Sequence, residues 1–258
     1  MMATRNAPRR LFRSGHAYGE IQALLSSVEP KGRCLDLLCG KGVNIRGIRN
    51  AGFEPVAGDL YPEQAMALCS ETHKVDFLKP LPFEDNHFAA VLCSEGIEHC
   101  ARQLDLLREF SRILRPGGAL LITTPNVLNL RARISYLLNG HYWFARAPVS
   151  EATQVWYEPA GGDLYIGHVF CVSYFALRFM LRVAGFERIA VTTAKYSTTA
   201  LLLAPALWLP VRIATARLLR RQLRPKDPEL HREMTSHVMS AALLFGKKLI
   251  VLARKPTH

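Results

Sequence analysis

The stretch that decides the fold runs from Gly32 to Asp59 and reads GRCLDLLCGKGVNIRGIRNAGFEPVAGD. A largely apolar run at 34–38 breaks into a glycine-rich turn at 39–42, a helical stretch follows, and a second apolar run at 53–57 leads to Asp59. This order predicts a strand, a tight turn, a helix and a second strand that ends on a carboxylate. In such a unit the glycines let the backbone approach a ligand closely, and the acid is placed to bind the two hydroxyls of a ribose.

Length and composition indicate a globular protein. The 258 residues are 49% hydrophobic and 21% charged, which predicts one large domain with additions. The net charge of +12 favours an anionic partner or surface, such as phospholipid, nucleic acid or a phosphorylated substrate. A solubility bias without any partner is the alternative.

The cysteines and the N-terminus point to the cytoplasm. None of the six cysteines lies in a CxxC pair, so we expect reduced, structural thiols rather than disulfides or a zinc site. Residues 1–17 are basic and lack the apolar core of a secretory signal. We therefore predict a flexible basic arm and no export.

Short apolar strands alternate with helices beyond Asp59, which predicts a parallel sheet in an α/β fold. Such sheets bind ligands beyond the carboxyl ends of their strands. The predicted strands lie at 74–77, 88–94, 119–124 and 186–192, and the predicted helices at 18–28, 62–70, 102–114, 129–138 and 172–184. The residues at the predicted strand ends are Gly40, Asp59, Asp76, Ser94, Glu95 and Asn126. Pro116–Gly118 reads as a turn, and the aromatic-rich region after 138 as a long irregular cover.

The segment 196–226 departs from this alternation. Residues 196–211 carry no charge but include Pro205 and Pro210, and 212–226 supply five arginines and a lysine. A membrane-spanning helix needs about 20 apolar residues, so this segment is short for one. An apolar stretch followed by arginines suits a protein that lies on an anionic membrane face. An ordinary helical lid or a dimer contact is the alternative.

Several motifs in order carry a resemblance to a known family. They are LDLLCGKG at 35–42, LPFEDNHF at 81–88, Glu98–His99, LRPGG at 114–118 and TPN at 124–126. The chain resembles the class I S-adenosylmethionine-dependent methyltransferases. The resemblance implies a Rossmann-like, doubly wound seven-stranded sheet of order 3-2-1-4-5-7-6 with strand 7 antiparallel. It implies a methyltransferase domain formed by 18–193 plus 247–258, with strand 6 at 186–193 and strand 7 at 248–254, and an insertion at 194–246.

The resemblance also implies a cofactor, S-adenosylmethionine, and a set of residues that bind it. Asp36, Gly40 and Gly42 would shape the pocket for its methionine half, and Asp59 would bind the ribose. Leu60 would pack on the adenine, and Asp76 and Phe77 would hold the adenine edge. Ser94 and Glu95 would line the floor near the sulfonium. Leu38 stands where the family has its first loop glycine. A branched side chain at this point is expected to weaken cofactor binding or shift its pose. A degenerate domain kept as a binding module is the corresponding alternative.

Methyl transfer to a hydroxyl requires removal of a proton, and two histidines are candidate bases. His99 follows the strand that carries Ser94 and Glu95, and His168 follows glycines of the cover. The structural alternatives are that Glu98–His99 only anchors a helix start and that His168 is a loop histidine bonded to backbone. No group of His, Asp and Glu has ligand spacing, so we predict no metal.

The sequence therefore predicts a methyltransferase that is O-directed, cytoplasmic and peripheral on the inner face of the membrane. Its acceptor is expected to be a small molecule, a glycan or a lipid-linked compound, such as an isoprenoid-linked glycan or a quinone. A nucleic-acid methyltransferase is the main alternative. Positive charge favours it, but Ser94-Glu-Gly-Ile stands where many amino-methylating enzymes carry Asn/Asp-Pro-Pro-Tyr/Phe. A dinucleotide dehydrogenase is disfavoured, because the glycine loop does not read Gly-x-Gly-x-x-Gly.

Overall fold

The computed structural model describes residues 18–142, 148–157, 164–223 and 225–257; the predicted basic arm at 1–17 lies outside them. The strands are β1 (Arg33–Leu37), β2 (Glu54–Asp59), β3 (Thr72–Lys74), β4 (Phe88–Ser94), β5 (Leu114–Pro125), β6 (Val155–Tyr157), β7 (Leu164–Ile166), β8 (Glu187–Thr192) and β9 (Lys248–Arg254). The helices are α1 (Tyr18–Ser26), α2 (Ile45–Asn50), α3 (Gln103–Ile113), α4 (Leu130–Asn139), α5 (Glu151–Gln154), α6 (Tyr174–Val183), α7 (Thr198–Gln222), α8 (Pro228–Val238) and α9 (Ala241–Phe245).

Seven strands form one sheet of order β3-β2-β1-β4-β5-β9-β8. The strands β3, β2, β1, β4 and β5 each run parallel to their neighbours in this series. In contrast, β9 runs antiparallel to both β5 and β8. This arrangement confirms the predicted order, with β8 as strand 6 and β9 as the antiparallel strand 7. The strand order reverses between β1 and β4, and a crevice for ligands opens beyond the carboxyl ends of strands at such a point.

Helices cover both faces of the sheet, which explains why the central strands are almost continuously apolar. The helix α3 buries Leu106, Leu107, Phe110 and Ile113, which recur at the spacing of one helical face. The opposite face of the sheet is covered by α1 and α2. All six cysteines are free, and five of them are buried.

Three local predictions were wrong. The third strand ends at Lys74 rather than at residue 77, because a turn closed by Lys79 N–H and Asp76 O follows it. The predicted helix at 62–70 is a 3₁₀ turn over Pro62–Gln64. The fifth strand begins at Leu114, not at 119. Pro116–Gly118 does not end the strand, because it forms a bulge-like register shift opposite β4.

The cover after α4 contains regular structure that its sequence does not indicate. Strands β6 and β7 form an antiparallel pair, with Trp156 opposite Tyr165. Residues 143–147 and 158–163 of this region lie outside the described residues.

The segment predicted to be an insertion, 194–246, contains α7, α8 and α9. Its first helix, α7, has 25 residues and continues through Pro205 and Pro210. The two prolines remove backbone hydrogen bonds, yet the helix is continuous. Its inner face places Ala200 against Leu130 of α4 and Leu244 of α9. The side-chain amide of Asn126, just beyond β5, donates to the backbone oxygens of Ala242, Leu243 and Gly246. Asn126 thus ties the insertion to the end of the sheet.

Candidate functional site

The glycine loop between β1 and α2 takes a backbone path that favours glycine at three positions. Leu38, Gly40 and Gly42 have φ values of 61°, 51° and 70°. A Cβ on Gly42 would approach Ala65 and Ile45 to 3.3 Å, but nothing lies within 4 Å of the corresponding point on Gly40. The loop therefore presents open space above Gly40, where a ligand can lie against the backbone.

The predicted ribose-binding acid faces this loop. The Gly40 N–H donates to Asp59 Oδ2 at 2.8 Å, and the Tyr61 N–H donates to Asp59 Oδ1 at 3.0 Å. Each carboxylate oxygen has a second lone pair, so Asp59 keeps the capacity to accept from two hydroxyls. Leu60, beside it, is half-buried. The assignments of Asp59 to ribose and Leu60 to adenine stay predictions.

Asp36 lies beneath the loop and is fully buried. The Asn44 side-chain amide donates to Asp36 Oδ1 at 3.2 Å, but Asp36 Oδ2 has no hydrogen-bond partner in the described part of the chain. Burial raises the pKa of Asp36 to about 7. An orphaned buried oxygen next to an open glycine loop fits a ligand that brings a donor or a positive charge, as S-adenosylmethionine does.

Leu38, the departure from the family pattern, turns its side chain toward the loop after β4. A Cβ built on Gly96 would lie 2.3 Å from Leu38 Cδ1, so Gly96 leaves the room that Leu38 fills. Leu38 also packs against the main core. Its side chain is therefore accommodated between the two loops.

The two residues predicted to hold the adenine edge lie just beyond β3. The Leu78 N–H donates to Asp76 Oδ1 at 3.0 Å, and Lys79 Nζ lies 3.1 Å from Asp76 Oδ2. These contacts, the backbone hydrogen bond first, hold the pKa of Asp76 below its usual range. Phe77 is half-buried against the core. The adenine role of both residues stays a prediction.

A polar network closes the carboxyl end of β4. Thr123 Oγ1 bridges the side chains of Ser94 and Glu95, at 3.1 and 3.0 Å. Lys248 Nζ, at the start of β9, lies 2.8 Å from Glu95 Oε2. Ser94 and Glu95 thus share one network with Thr123 and Lys248, which sequence reasoning missed. The cofactor role of Ser94 and Glu95 stays a prediction.

The two candidate bases also meet. The rings of His99 and His168 pack edge to face with their centres 4.9 Å apart, and His168 Nε2 lies 3.9 Å from Glu98 Oε1. Glu98 is fully buried. Thr124 Oγ1 donates to Glu98 Oε2 at 3.0 Å, whereas Glu98 Oε1 has no hydrogen-bond partner in the ranges described. Burial, followed by the charge of Glu95, raises the pKa of Glu98 to about 8.

We call Glu98, His99 and His168 the Glu98 cluster. Each of the three offers one atom that could bind a metal ion, and these atoms lie within 4.8 Å of one another. Together they are the donor set of two imidazoles and a carboxylate. The spacing of residues in the sequence does not indicate this cluster, because His168 is far from Glu98 in sequence. The signal available in the sequence was an acid within an apolar stretch, Gly-Ile-Glu-His-Cys. The absence of a metal stays a prediction.

A cavity of about 430 Å³ lies beside this cluster, beyond the ends of β4 and β5. We call it the β5 cavity; its lining includes Glu95, Arg131, Tyr142, His168, Lys247 and Lys248. The glycine loop and Asp59 belong to the ends of β1 and β2, on the other side of β4. Glu95 therefore lies between the open space above the glycine loop on one side and the β5 cavity on the other.

Comparisons with known proteins identify the class. A family model described as a methyltransferase domain matches residues 5–191. The structure of an S-adenosylmethionine-dependent methyltransferase from Archaeoglobus fulgidus is similar over 93% of both chains, with a TM-score of 0.54 at 16% identity. The chain belongs to the methyltransferase domain family, and its fold is that of S-adenosylmethionine-dependent methyltransferases.

The chain is also similar to three curated relatives. These are a demethylmenaquinone methyltransferase of Mycobacterium tuberculosis (34% identity, 46% of this chain and 54% of the relative), a 2-phytyl-1,4-naphtoquinone methyltransferase of Synechococcus elongatus (33%, 36% and 46%), and a ubiquinone biosynthesis O-methyltransferase of Xanthomonas campestris (32%, 38% and 44%). The match spans about half the length of each relative.

Proposed function

We propose that the protein methylates a hydroxyl of a small-molecule acceptor that is carried on a lipid or isoprenoid chain, at the inner face of a membrane. The observation that carries this proposal is the position of the β5 cavity. One wall holds Glu95 and His168, and another is formed by the beginning of α4 and of α7. The polar head of an acceptor fits the cavity, while its apolar chain can follow the exposed surfaces of these two helices.

Those surfaces are unusually apolar. On α7, Leu202 is 81% exposed and Leu209 is 54% exposed, and on α4 Leu137 is 76% exposed. Neighbouring apolar side chains on the two helices are exposed as well. Exposed apolar side chains on two helices that pack together favour contact with lipid.

Positive charge follows the apolar part of α7. Arg212, Arg217, Arg220 and Arg221 are all exposed, and the Arg212 guanidinium lies 5.1 Å from the centre of the Trp208 ring. Arginines near an anionic bilayer contribute about 1 kcal/mol each. Within the described ranges, α7 is the one helix whose length and composition would also suit a crossing of the membrane. Because α7 packs against α4 and α9, we favour a helix that lies on the membrane.

Two of the relatives support an acceptor of this class by their names, which specify a phytyl-substituted naphthoquinone and O-methylation in ubiquinone biosynthesis. When bound, S-adenosylmethionine supplies a methyl group on a sulfonium, which an acceptor oxygen takes by in-line displacement. The chain must hold that oxygen near Glu95 and remove its proton.

We assign proton removal to His168 rather than to His99. His168 lines the β5 cavity, whereas His99 packs against the ring of His168 and is not part of the lining. Glu98 Oε1 lies 3.9 Å from His168 Nε2, which is beyond hydrogen-bond length, so its influence on the imidazole is electrostatic. In this assignment His168 receives the hydroxyl proton, and Glu98 and His99 are positioning residues.

The experiment is transfer of labelled methyl from S-adenosylmethionine into a cell extract that is then separated into lipid, aqueous and nucleic-acid fractions. We expect label in the lipid fraction and its loss in Asp59→Ala. In His168→Gln the rate is expected to fall by about a hundredfold while cofactor binding is retained. His231→Gln, on α8, is the matched control. Label in nucleic acid would overturn the proposal, and label confined to the aqueous fraction would overturn its lipid part.

A further inference from the structure

We infer that Thr123 and Lys248 are positioning residues for methyl transfer, which hold the Glu95 carboxylate toward the acceptor in the β5 cavity. The inference rests on the proposed function, which brings the acceptor oxygen next to Glu95. Glu95 lines this cavity together with Lys248, and the Glu95 side chain is 25% exposed. A ligand in the cavity can therefore reach the carboxylate.

The backbone of Glu95 adopts a conformation that a residue with a side chain disfavours. Its φ is 55°, in the left-handed region. The Glu95 N–H donates to Thr123 O at 2.9 Å and lies 3.1 Å from Thr123 Oγ1. Residues other than glycine keep such a conformation only where the surrounding contacts fix it, and such residues cluster at functional sites. The strain at Glu95 thus indicates that the direction of its side chain matters for function.

The Thr123 hydroxyl uses its full hydrogen-bonding capacity on this loop. A hydroxyl has one donor and two lone pairs. Thr123 Oγ1 donates to Glu95 Oε1 at 3.0 Å, and it lies 3.1 Å from both the Glu95 nitrogen and Ser94 Oγ, which can each donate to it. Because Thr123 is fully buried in β5, it holds one carboxylate oxygen at a fixed point.

Lys248 holds the other carboxylate oxygen, with its Nζ 2.8 Å from Glu95 Oε2. Lys248 is the first residue of β9 and pairs with Pro125 at the end of β5. Because β9 is antiparallel, it begins at the edge of the sheet where the parallel strands end. The Lys248 side chain is 47% exposed, and an ion pair so exposed contributes little to stability. Positioning explains this contact better than stabilisation of the fold does.

The two contacts leave Glu95 able to bind an acceptor. Each carboxylate oxygen has a second lone pair, which can accept a hydrogen bond from a hydroxyl in the cavity. Transfer of the methyl group requires that the acceptor oxygen be held in line, and a displacement of about 1 Å can cost about a hundredfold in rate. Loss of either positioning residue should therefore slow transfer without weakening cofactor binding.

The test is the rate at which labelled methyl passes from S-adenosylmethionine into all products of a cell extract, at saturating cofactor. Lys248→Met and Thr123→Val are each expected to lower this rate by about tenfold. Lys248→Arg and Thr123→Ser keep the charge and the hydroxyl, and we expect them to retain most of the rate. Calorimetric titration should show unchanged binding of S-adenosylmethionine, and thermal melting checks the fold. Arg108→Gln is the matched control, since Arg108 is exposed on α3 and pairs with Asp105.

A double-mutant cycle shows whether Lys248 acts through Glu95. If it does, Lys248→Met should have little effect once Glu95→Gln is in place, so that the two losses do not add. Additive losses, or an unchanged rate in Lys248→Met, would overturn the inference. The outcomes separate it from the proposed function, because all labelled products are counted. Losses that do not add, with the label in the aqueous fraction, would support the inference and overturn the lipid part of the proposed function.

Discussion

Replacing Glu98 with glutamine should change how the stability of the protein depends on pH. Burial raises the pKa of this carboxyl from 4.5 to about 8. Between these values the folded state keeps a proton that the unfolded state has lost, so the free energy of unfolding falls as pH rises. The slope is about 1.4 kcal/mol per pH unit, which amounts to roughly 2–3 kcal/mol between about pH 5 and pH 7.

Glu98→Gln removes this titration while it keeps the shape of the side chain. The charged groups that face Glu98, namely Glu95, Lys248 and His168, remain in both proteins, as does the buried Asp36. The stability of the variant relative to the wild type should therefore rise with pH, by about 2 kcal/mol over this range. Urea unfolding at several pH values measures the difference, and Glu63→Gln, at an exposed position, serves as the control. A difference that stays constant with pH would refute the argument.

Three further predictions concern the cofactor, a metal and the membrane. Leu38→Gly should keep the affinity for S-adenosylmethionine within about threefold of the wild type, because the Leu38 side chain lies on Gly96. Gly40→Val should weaken this affinity by more than about tenfold. Similar losses of affinity in both variants would contradict this account. Chelation with EDTA should leave methyl transfer unchanged, and a loss restored by Mn²⁺ would instead assign the Glu98 cluster to a cation. Leu202→Glu should reduce sedimentation with vesicles of phosphatidylcholine and phosphatidylglycerol, and undiminished binding would exclude the outer face of α7 as the contact.

The central strands of the sheet and the glycine loop were predictable because their signals are local. The buried strand β4 and the amphipathic helix α3 each follow from the spacing of neighbouring apolar side chains. The resemblance then supplied the order of the strands and the antiparallel β9. Boundaries failed where tertiary contacts outweighed local preference, as at Pro116–Gly118, which pairing with neighbouring strands draws into β5.

The candidate site was only partly predictable. The residues at the strand ends could be named, since parallel strands present their carboxyl ends at one edge of the sheet. The positions of Glu98, Arg131 and Lys247 beyond the strand ends could not be foreseen, because neither sequence spacing nor residue type shows which distant segment each one meets.

By itself, therefore, the sequence determined the α/β class and the glycine loop with Asp59, because neighbouring residues encode those conformations directly. Only the tertiary structure decided three further features. It brought His168 to the buried Glu98, it seated Leu38 on Gly96, and it gathered three cations around the β5 cavity. The physical reason is that such contacts join segments far apart in the chain, and only the packing of helices and cover against the sheet brings these segments together.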